Sequence, residues 1–255
     1  MSAPLMPECR LILDPPGGGA WNMAVDEALL EDGGRVGGWT LRFYGWSEPT
    51  LSLGYFQTIE SRRRHPASQG CPLVRRQSGG GAIVHDRELT YALIAPARHA
   101  LARESQRLYR AVHGAIVQEL ASVGVPARMH DPAVDMERTR SAEEPFLCFE
   151  RRAVGDIVVG EAKIGGSAQR RRLGAVLQHG SLLISRSKAA PELPGIEELG
   201  CEQRSWEAWR SLFSAALLEA LELSPRVASP SPSIVAEAAK LAEHKYGAAS
   251  WNKRR

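Results

Sequence analysis

The stretch Leu73-Val-Arg-Arg-Gln-Ser-Gly-Gly-Gly-Ala-Ile-Val-His-Asp86 sets two arginines and a glycine triplet between two apolar runs. Leu73 and Val74 lead in and Ala82, Ile83 and Val84 lead out, so it reads as strand, glycine turn, strand. Consecutive glycines leave backbone amides uncovered and admit positive φ, which lets a chain wrap closely around a ligand. A glycine triplet alone is more often a flexible hairpin tip. Here Arg75 and Arg76 before it and His85-Asp86 after it weaken that plainer account. Downstream, Arg87-Glu-Leu-Thr-Tyr-Ala-Leu-Ile-Ala95 reads as a strand paired with the one before it, stopped by Pro96. Upstream, Trp39–Tyr44 and Leu51–Phe56 alternate large apolar with small or polar residues, the pattern of two half-buried strands joined across Trp46-Ser-Glu-Pro49.

Further out, Cys9–Asp14 reads as a first strand, broken by Pro15-Pro-Gly-Gly-Gly19. A helix should start at Asn22 as N-cap, with Met23, Ala24, Val25, Ala28 and Leu29 as its apolar stripe. Asp26 and Glu27 would suit its positive dipole end, and Gly33, Gly34, Gly37 and Gly38 would end it. Leu101, Leu108, Val112, Ile116, Leu120 and Val123 recur at helical spacing over 100–123, closed by Gly124 and Pro126. From Arg128 to Pro145 the chain is charged and irregular, the mark of a long surface loop, and such loops are often functional. Phe146–Phe149 is apolar again, Gly155–Gly160 is a turn and strand, Lys163–Gln169 a second glycine-rich connection and Leu177–Ile184 a final strand. Trp206–Leu221 and Ile234–Ala242 are closing helices, separated by a proline-serine linker around Ser229–Pro232.

Strands and helices intermixed over 255 residues, 44% of them apolar, suit an α/β (α+β) chain with a sizeable core. A net charge of only +3, with both signs spread throughout, argues against a dedicated nucleic-acid binder. The basic run Glu60-Ser-Arg-Arg-Arg64 could still meet an acidic protein. The start, Met1-Ser-Ala-Pro-Leu-Met-Pro7, lacks a basic leader with a long apolar run, and no segment is long enough to span a bilayer, so no membrane and a cytoplasmic location are expected. Cys9, Cys71, Cys148 and Cys201 are far apart and should be free thiols, and no histidine spacing suggests a metal. No long apolar stripe is left over once the helices pack, so a monomer is expected.

Three groups could meet at one site: the 75–86 turn, Cys148, and Lys163 with the loop Gly165-Gly-Ser-Ala-Gln169. A lysine among small residues puts one cation where a backbone can approach a carbonyl or phosphate, which suits charge stabilisation on a reacting acyl group. Lone lysines are usually solvated and lone cysteines usually buried filler, and spacing alone overturns neither.

The chain resembles the lipoate–protein ligase and octanoyltransferase superfamily, relatives of biotin protein ligases. The resemblance rests on Asn22-Met-Ala-Val-Asp-Glu27, Arg42-Phe-Tyr-Gly-Trp46 with Leu51-Ser-Leu-Gly54, Arg75–Asp86, Lys163–Gln169 and Leu177-Gln-His-Gly-Ser181. The closing Lys245-Tyr-Gly-Ala-Ala-Ser-Trp-Asn252 resembles the end of the family's large domain. It implies a biotin/lipoate protein ligase-like catalytic domain over 1–225, with mixed β-sheets flanked by helices and a cleft for an eight-carbon acyl chain. Residues 226–255 would be a short helical extension.

Two chemistries divide this superfamily. A ligase activates lipoate with ATP and Mg before passing it to a carrier lysine, whereas a transferase moves octanoyl from acyl carrier protein to that lysine through its own cysteine and needs no cofactor. His85-Asp-Arg-Glu-Leu-Thr-Tyr91 and the position of Cys148 shortly before Gly155-Asp-Ile-Val-Val159 resemble the cysteine-dependent octanoyltransferases, and no small carboxy-terminal domain of the kind many ligases use is expected. The glycine triplet followed by Ala82 is close to the ligase form. On the transferase reading Cys148 is the nucleophile, and Lys163 favours the thiolate or stabilises the oxyanion. Gly79, Gly80 and Gly81, with His85, shape the acyl pocket. Arg75 and Arg76 orient the donor's phosphopantetheine or, on the ligase reading, an adenylate phosphate, and Ser78, Gly165, Gly166, Ser167, Ala168 and His179 complete the substrate site. The acceptor would be a lipoyl domain of a 2-oxoacid dehydrogenase subunit or the glycine cleavage H protein. A non-enzymatic acyl-binding module is the third possibility.

Overall fold

The computed structural model describes residues 6–134 and 144–254. The first five residues of the expected leaderless start, and 135–143 of the loop expected over 128–145, lie outside the described residues. The strands are β1 (Glu8–Leu13), β2 (Trp39–Tyr44), β3 (Thr50–Leu53), β4 (Leu73–Arg75), β5 (Ile83–His85), β6 (Glu88–Pro96), β7 (Ala127–Met129), β8 (Ile157–Val159), β9 (Ala162–Arg172), β10 (Ala175–Leu183) and β11 (Ser224–Val227). The helices are α1 (Gly19–Val36), α2 (Ala100–Arg103), α3 (Ser105–Ser122), α4 (Trp206–Ala220), α5 (Pro232–Leu241) and α6 (Ala249–Asn252).

An eight-stranded mixed sheet runs β11-β1-β2-β6-β10-β9-β8-β7, and a three-stranded sheet runs β4-β3-β5. Leu41, Leu93 and Val176 face a core shared with α3 and α4, while Tyr44, Ile94 and Leu177 face one shared with α1 and α5. Both faces of the central strands are therefore covered, and β2, β6 and β10 are buried throughout. The half-burial expected of 39–44 fails for this reason; of 51–56 only the part up to Leu53 is strand, buried in the small sheet, while Phe56 is exposed, and the polar residues buried in both strands must find internal partners.

The 73–86 stretch is not a hairpin. β3 lies between its two arms, parallel to β4 and antiparallel to β5, so the glycine segment crosses over the end of a third strand. Nor does β6 pair with β5; it runs between β2 and β10 in the large sheet. The region 163–169 is no connection either, since it lies within the 11-residue strand β9. Its glycines serve close packing: a Cβ at Gly165 would sit 3.1 Å from Ile157, where the β8–β9 register shifts. β10 is not the last strand, because β11 follows parallel to β1, and the expected boundary at 225 falls inside it. The segment beyond packs on α1, where the Tyr246 hydroxyl donates to Glu27 at 2.7 Å.

Helix α1 begins before Asn22, with Gly18 as N-cap, and Asn22 inside the helix donates to Gly17 O and Gly45 O at 3.1 and 3.0 Å. Asp26 and Glu27 are likewise buried and paired rather than exposed to the helix dipole. Gly33 and Gly34 do not end the helix. Gly37 does, at φ 78°, donating to Gly33 O at 2.8 Å. The expected helix over 100–123 is two, α2 and α3, separated at Glu104, whose backbone is extended.

Glycine is required at Gly33 by a close approach: a Cβ there would lie 2.4 Å from Cγ2 of buried Ile94. In an open helix Gly→Ala stabilises by about 1 kcal/mol. Here Gly33→Ala is expected to destabilise by about 1–3 kcal/mol, because overpacking a β-branched neighbour outweighs the propensity gain. Urea unfolding reads the sign directly.

Candidate active site

Cys148 is placed by the glycine stretch. Its amide donates to Ala82 O at 2.7 Å and the Ala82 amide donates to Phe146 O at 3.0 Å, so Phe146 and Leu147 bury against the small sheet and one 3-10 turn, Cys148–Glu150, follows. Glycine is needed because the backbones nearly touch: a Cβ at Gly81 would lie 3.0 Å from Cys148 N, and one at Gly54 2.0 Å from Gly80 O. Gly80 itself has φ 95°. Arg76 shapes the loop from inside, donating to Gly79 O at 2.8 Å, Gly81 O at 2.6 Å and Ser52 O at 3.2 Å. Arg76 is 2% exposed, and its guanidinium has no carboxylate at ion-pair distance among the described residues. Burial lowers it from 12.5 to about 10, so it stays cationic at neutral pH.

Opposite, β9 presents Lys163. Its Nζ donates to Cys148 O at 3.2 Å, lies 3.8 Å from Cys148 Sγ and pairs with Asp156 Oδ2 at 2.7 Å. The neighbouring Ser167 hydroxyl lies 2.6 Å from both Tyr91 Oη and His113 Nε2, while His113 Nδ1 lies 2.7 Å from Gly155 O. Burial pushes His113 down from 6.5 to about 4, so it is neutral at physiological pH.

That shift carries a stability prediction. The unfolded chain binds a proton at His113 near pH 6.5, whereas the folded chain resists it until about 4, so stability falls on acidification through that window. The loss attributable to His113 is about 3 kcal/mol. His113→Gln should flatten the fall in urea-unfolding free energy between about pH 7 and about pH 4.5; an unchanged slope refutes the assignment.

The remaining wall is polar and tightly paired. His85 stacks on Trp46 with ring centroids 3.9 Å apart, and its Nδ1 lies 2.7 Å from Glu88 Oε1. Burial alone would raise the Glu88 carboxyl, but His85 and the Thr90 and Ser181 hydroxyls hold it below the usual carboxylate value. His179 Nε2 lies 2.6 Å from Ser78 Oγ, and its Nδ1 lies 3.6 Å from Asp26.

Of the residues expected at a site, Cys148, Lys163, Arg76, Gly79, Gly80 and His85 line one cavity of about 320 Å³. Gly166, Ser167, Ala168 and His179 line it too. Ser78 stands behind His179, Gly81 behind Cys148 and Gly165 under Ile157. Arg75 is elsewhere: it is fully buried and donates to Gly54 O, Gln57 O and Asn252 O, so it ties the small sheet to the chain's end rather than facing a ligand. Sequence reading missed Met23, Tyr44, Ile83, Thr90, Phe149 and Ser181 on the lining. Thr90 and Ser181 meet only because β6 and β10 pair in that register. Asp156 and Tyr109 were also missed, though Asp156 stands in the Gly155–Val159 segment already singled out.

Among the described residues, no group of three or more His, Cys, Asp or Glu is placed to hold a metal ion, and no helix is long and apolar enough to cross a membrane.

Residues 19–190 match the lipoyl protein ligase A/B catalytic domain family. The octanoyltransferase LipM of Anoxybacillus flavithermus is 39% identical over 175 residues, 65% of this chain and 61% of that protein. The match to the namesake from Symbiobacterium thermophilum, at 33% identity, covers 93% of this chain and 95% of that protein. By structure, the T. acidophilum protein Ta0514, described as a lipoate protein ligase and solved with bound lipoic acid, superimposes with a TM-score of 0.79 at 25% identity, covering 97% of this chain and 100% of that one. The expected α/β ligase-like fold, mixed sheets flanked by helices, is therefore the observed one. With the family's signature spanning residues 19–190 and a relative one-third identical along almost the whole length, the chain belongs to the lipoyl protein ligase A/B catalytic domain family.

Proposed function

We propose that the chain is an octanoyltransferase that takes octanoyl from acyl carrier protein and delivers it to a lysine of a lipoyl domain or glycine cleavage H protein through a thioester on Cys148. The observation that carries this reading is the Cys148 Sγ bordering the cavity 3.8 Å from the Lys163 ammonium, an arrangement none of the other three cysteines shares. The octanoyltransferase name of the two sequence relatives supports it. A volume of about 320 Å³ is small for a ligand pocket, which suits a slender acyl chain and leaves the protein partners outside. Met23, Ile83, Phe149 and Ala168 give that chain apolar contact.

In the first half-reaction the Cys148 thiolate attacks the acyl carbon, a C–S bond forms, and the donor's C–S bond breaks; the departing thiolate takes up the proton that Cys148 gave up. One thioester replaces another, so no ATP is consumed. In the second, the acceptor amine attacks, the amide C–N bond forms and Cys148 leaves, ending with the proton the amine has lost. The Lys163 ammonium stabilises the tetrahedral oxyanion of each step, an effect worth roughly 3 kcal/mol for a well-aimed donor. Both terminal nitrogens of the Arg76 guanidinium donate to Ser52 or the glycine loop, so it acts on an anionic donor mainly through its charge.

Incubation with octanoyl-acyl carrier protein in the absence of ATP tests this by intact mass. An octanoyl adduct on Cys148 is expected, chased onto a lipoyl domain when one is added. Labelling that requires ATP and lipoate, with no adduct, would make the chain a ligase, the reading favoured by its likeness to the lipoic acid-bound T. acidophilum protein. Labelling under neither condition would leave an acyl-binding module.

A further inference from the structure

Lys163 carries its charge where an ammonium is costly. Its side chain is 5% exposed, yet it faces the Asp156 carboxylate at 2.7 Å and the Cys148 sulfur at 3.8 Å. Asp156 is held from two sides: the Ala153 amide donates to Oδ2 at 2.7 Å and the Tyr109 hydroxyl donates to Oδ1 at 2.8 Å. Gly155 presents it through a turn at φ 86°, where a Cβ would sit 3.0 Å from the Tyr109 ring. The other groups facing this pair are neutral His113 from α3, the Phe149 ring 5.5 Å from Nζ, and the cations Arg76 and Arg151 around Cys148. Among the described residues, Asp156 forms no ion pair except with Lys163.

We propose that Asp156 is a positioning residue that holds Lys163 as a fixed ammonium aimed at the reacting sulfur, so that Lys163 stabilises charge and does not take the proton of the incoming amine. This rests on Cys148 being the nucleophile. Were Lys163 to give up its proton, Asp156 would become a buried charge without a partner, the state that proteins most strongly avoid. The Asp156–Lys163 pair is neutral as a unit, so it adds no net buried charge when Cys148 is a thioester and supplies the nearer cation when Cys148 is a thiolate. The carboxylate repels that thiolate, but it is the ammonium, at 3.8 Å, that makes the contact with the sulfur, and the nearer charge prevails.

The test is alkylation of Cys148 by iodoacetamide as a function of pH, with Cys148→Ala as background. Asp156→Asn frees Lys163 to leave the sulfur or shed its proton, and this outweighs the lost repulsion; labelling near neutral pH is expected to slow by about ten- to hundredfold, the effect of losing one charged hydrogen-bond partner, and the profile to move to higher pH. Asp156→Glu should restore part of the rate. A purely structural carboxylate would leave the profile in place; an unmoved profile, or one moved to lower pH, overturns the proposal. If circular dichroism shows Asp156→Asn unfolded, Tyr109→Phe decides, since it removes one hydroxyl and must move the profile the same way by less. Alkylation needs no acyl donor, so a wild-type chain that takes up no octanoyl refutes the transferase reading while leaving this result standing.

Discussion

Cys148→Ala is expected to take up no octanoyl and to lose at least roughly a thousandfold in transfer to a lipoyl domain, because the covalent route disappears as a unit. Cys71→Ala and Cys201→Ala should keep both. The contrast follows from where each sulfur sits. A thiol attacks only as thiolate, and burial in apolar surroundings opposes ionisation. Burial raises the Cys9 thiol from 9.0 to about 12 and pushes Cys71 and Cys201 upward as well, and none of the three borders the cavity. Cys148 differs in having an ammonium 3.8 Å from its sulfur and the Arg76 charge behind the same loop. Lys163→Met, which keeps the length and removes the charge, should then cost the acylation step about a hundredfold. Intact mass reads the adduct, and a gel-shift of the lipoyl domain reads the transfer. An adduct that survives in Cys148→Ala would refute the thioester on this residue.

What was legible in the sequence was the chemistry carried by local segments. The glycine triplet, Cys148 and Lys163 are each set in short runs whose residue types announce a close backbone approach or a reactive group, and the structure brings all three to one cavity. The pairing of the elements was not legible. Nothing within 73–86 says that β3 will insert between its arms, because register and neighbour choice are settled by which buried faces meet across the whole sheet. Arg75 and Arg76 show the cost of that blindness. They are adjacent and chemically identical, but alternation along the chain sends one into backbone carbonyls near Asn252 and the other to the cavity wall. Gly33 and Asn22 misled for a related reason: both carry the composition of helix ends, yet tertiary contacts with Ile94 and Gly45 fix them inside α1.

Arg42→Met is expected to destabilise the chain by about 3–5 kcal/mol, lowering its Tm by roughly 6–20 °C. Arg42 is fully buried on β2, where two covered faces leave no water for a cation. It donates to Asp26 Oδ1 and Asp14 Oδ2, each at 2.7 Å, and to Asn22 O at 3.2 Å, and its guanidinium lies 4.0 Å over the Tyr44 ring. Burial opposes the charge on both Arg42 and Asp26. Asp26 and Asp14 nonetheless hold Arg42 above its usual value, and His179 with Arg42 holds Asp26 below 3.8. The stability that Asp26 contributes is therefore present above 3.8 and is lost as pH falls below it. Removing Arg42 alone leaves a 1%-exposed carboxylate without its guanidinium partner, whereas Asp26→Asn leaves Arg42 its bond to Asp14 and should cost less. The double variant Arg42→Met/Asp26→Leu should then be less destabilised than the sum of Arg42→Met and Asp26→Leu, since no unpaired charge remains between those two positions. Thermal melts of the four chains close that cycle. Strict additivity would show that the pair is not coupled.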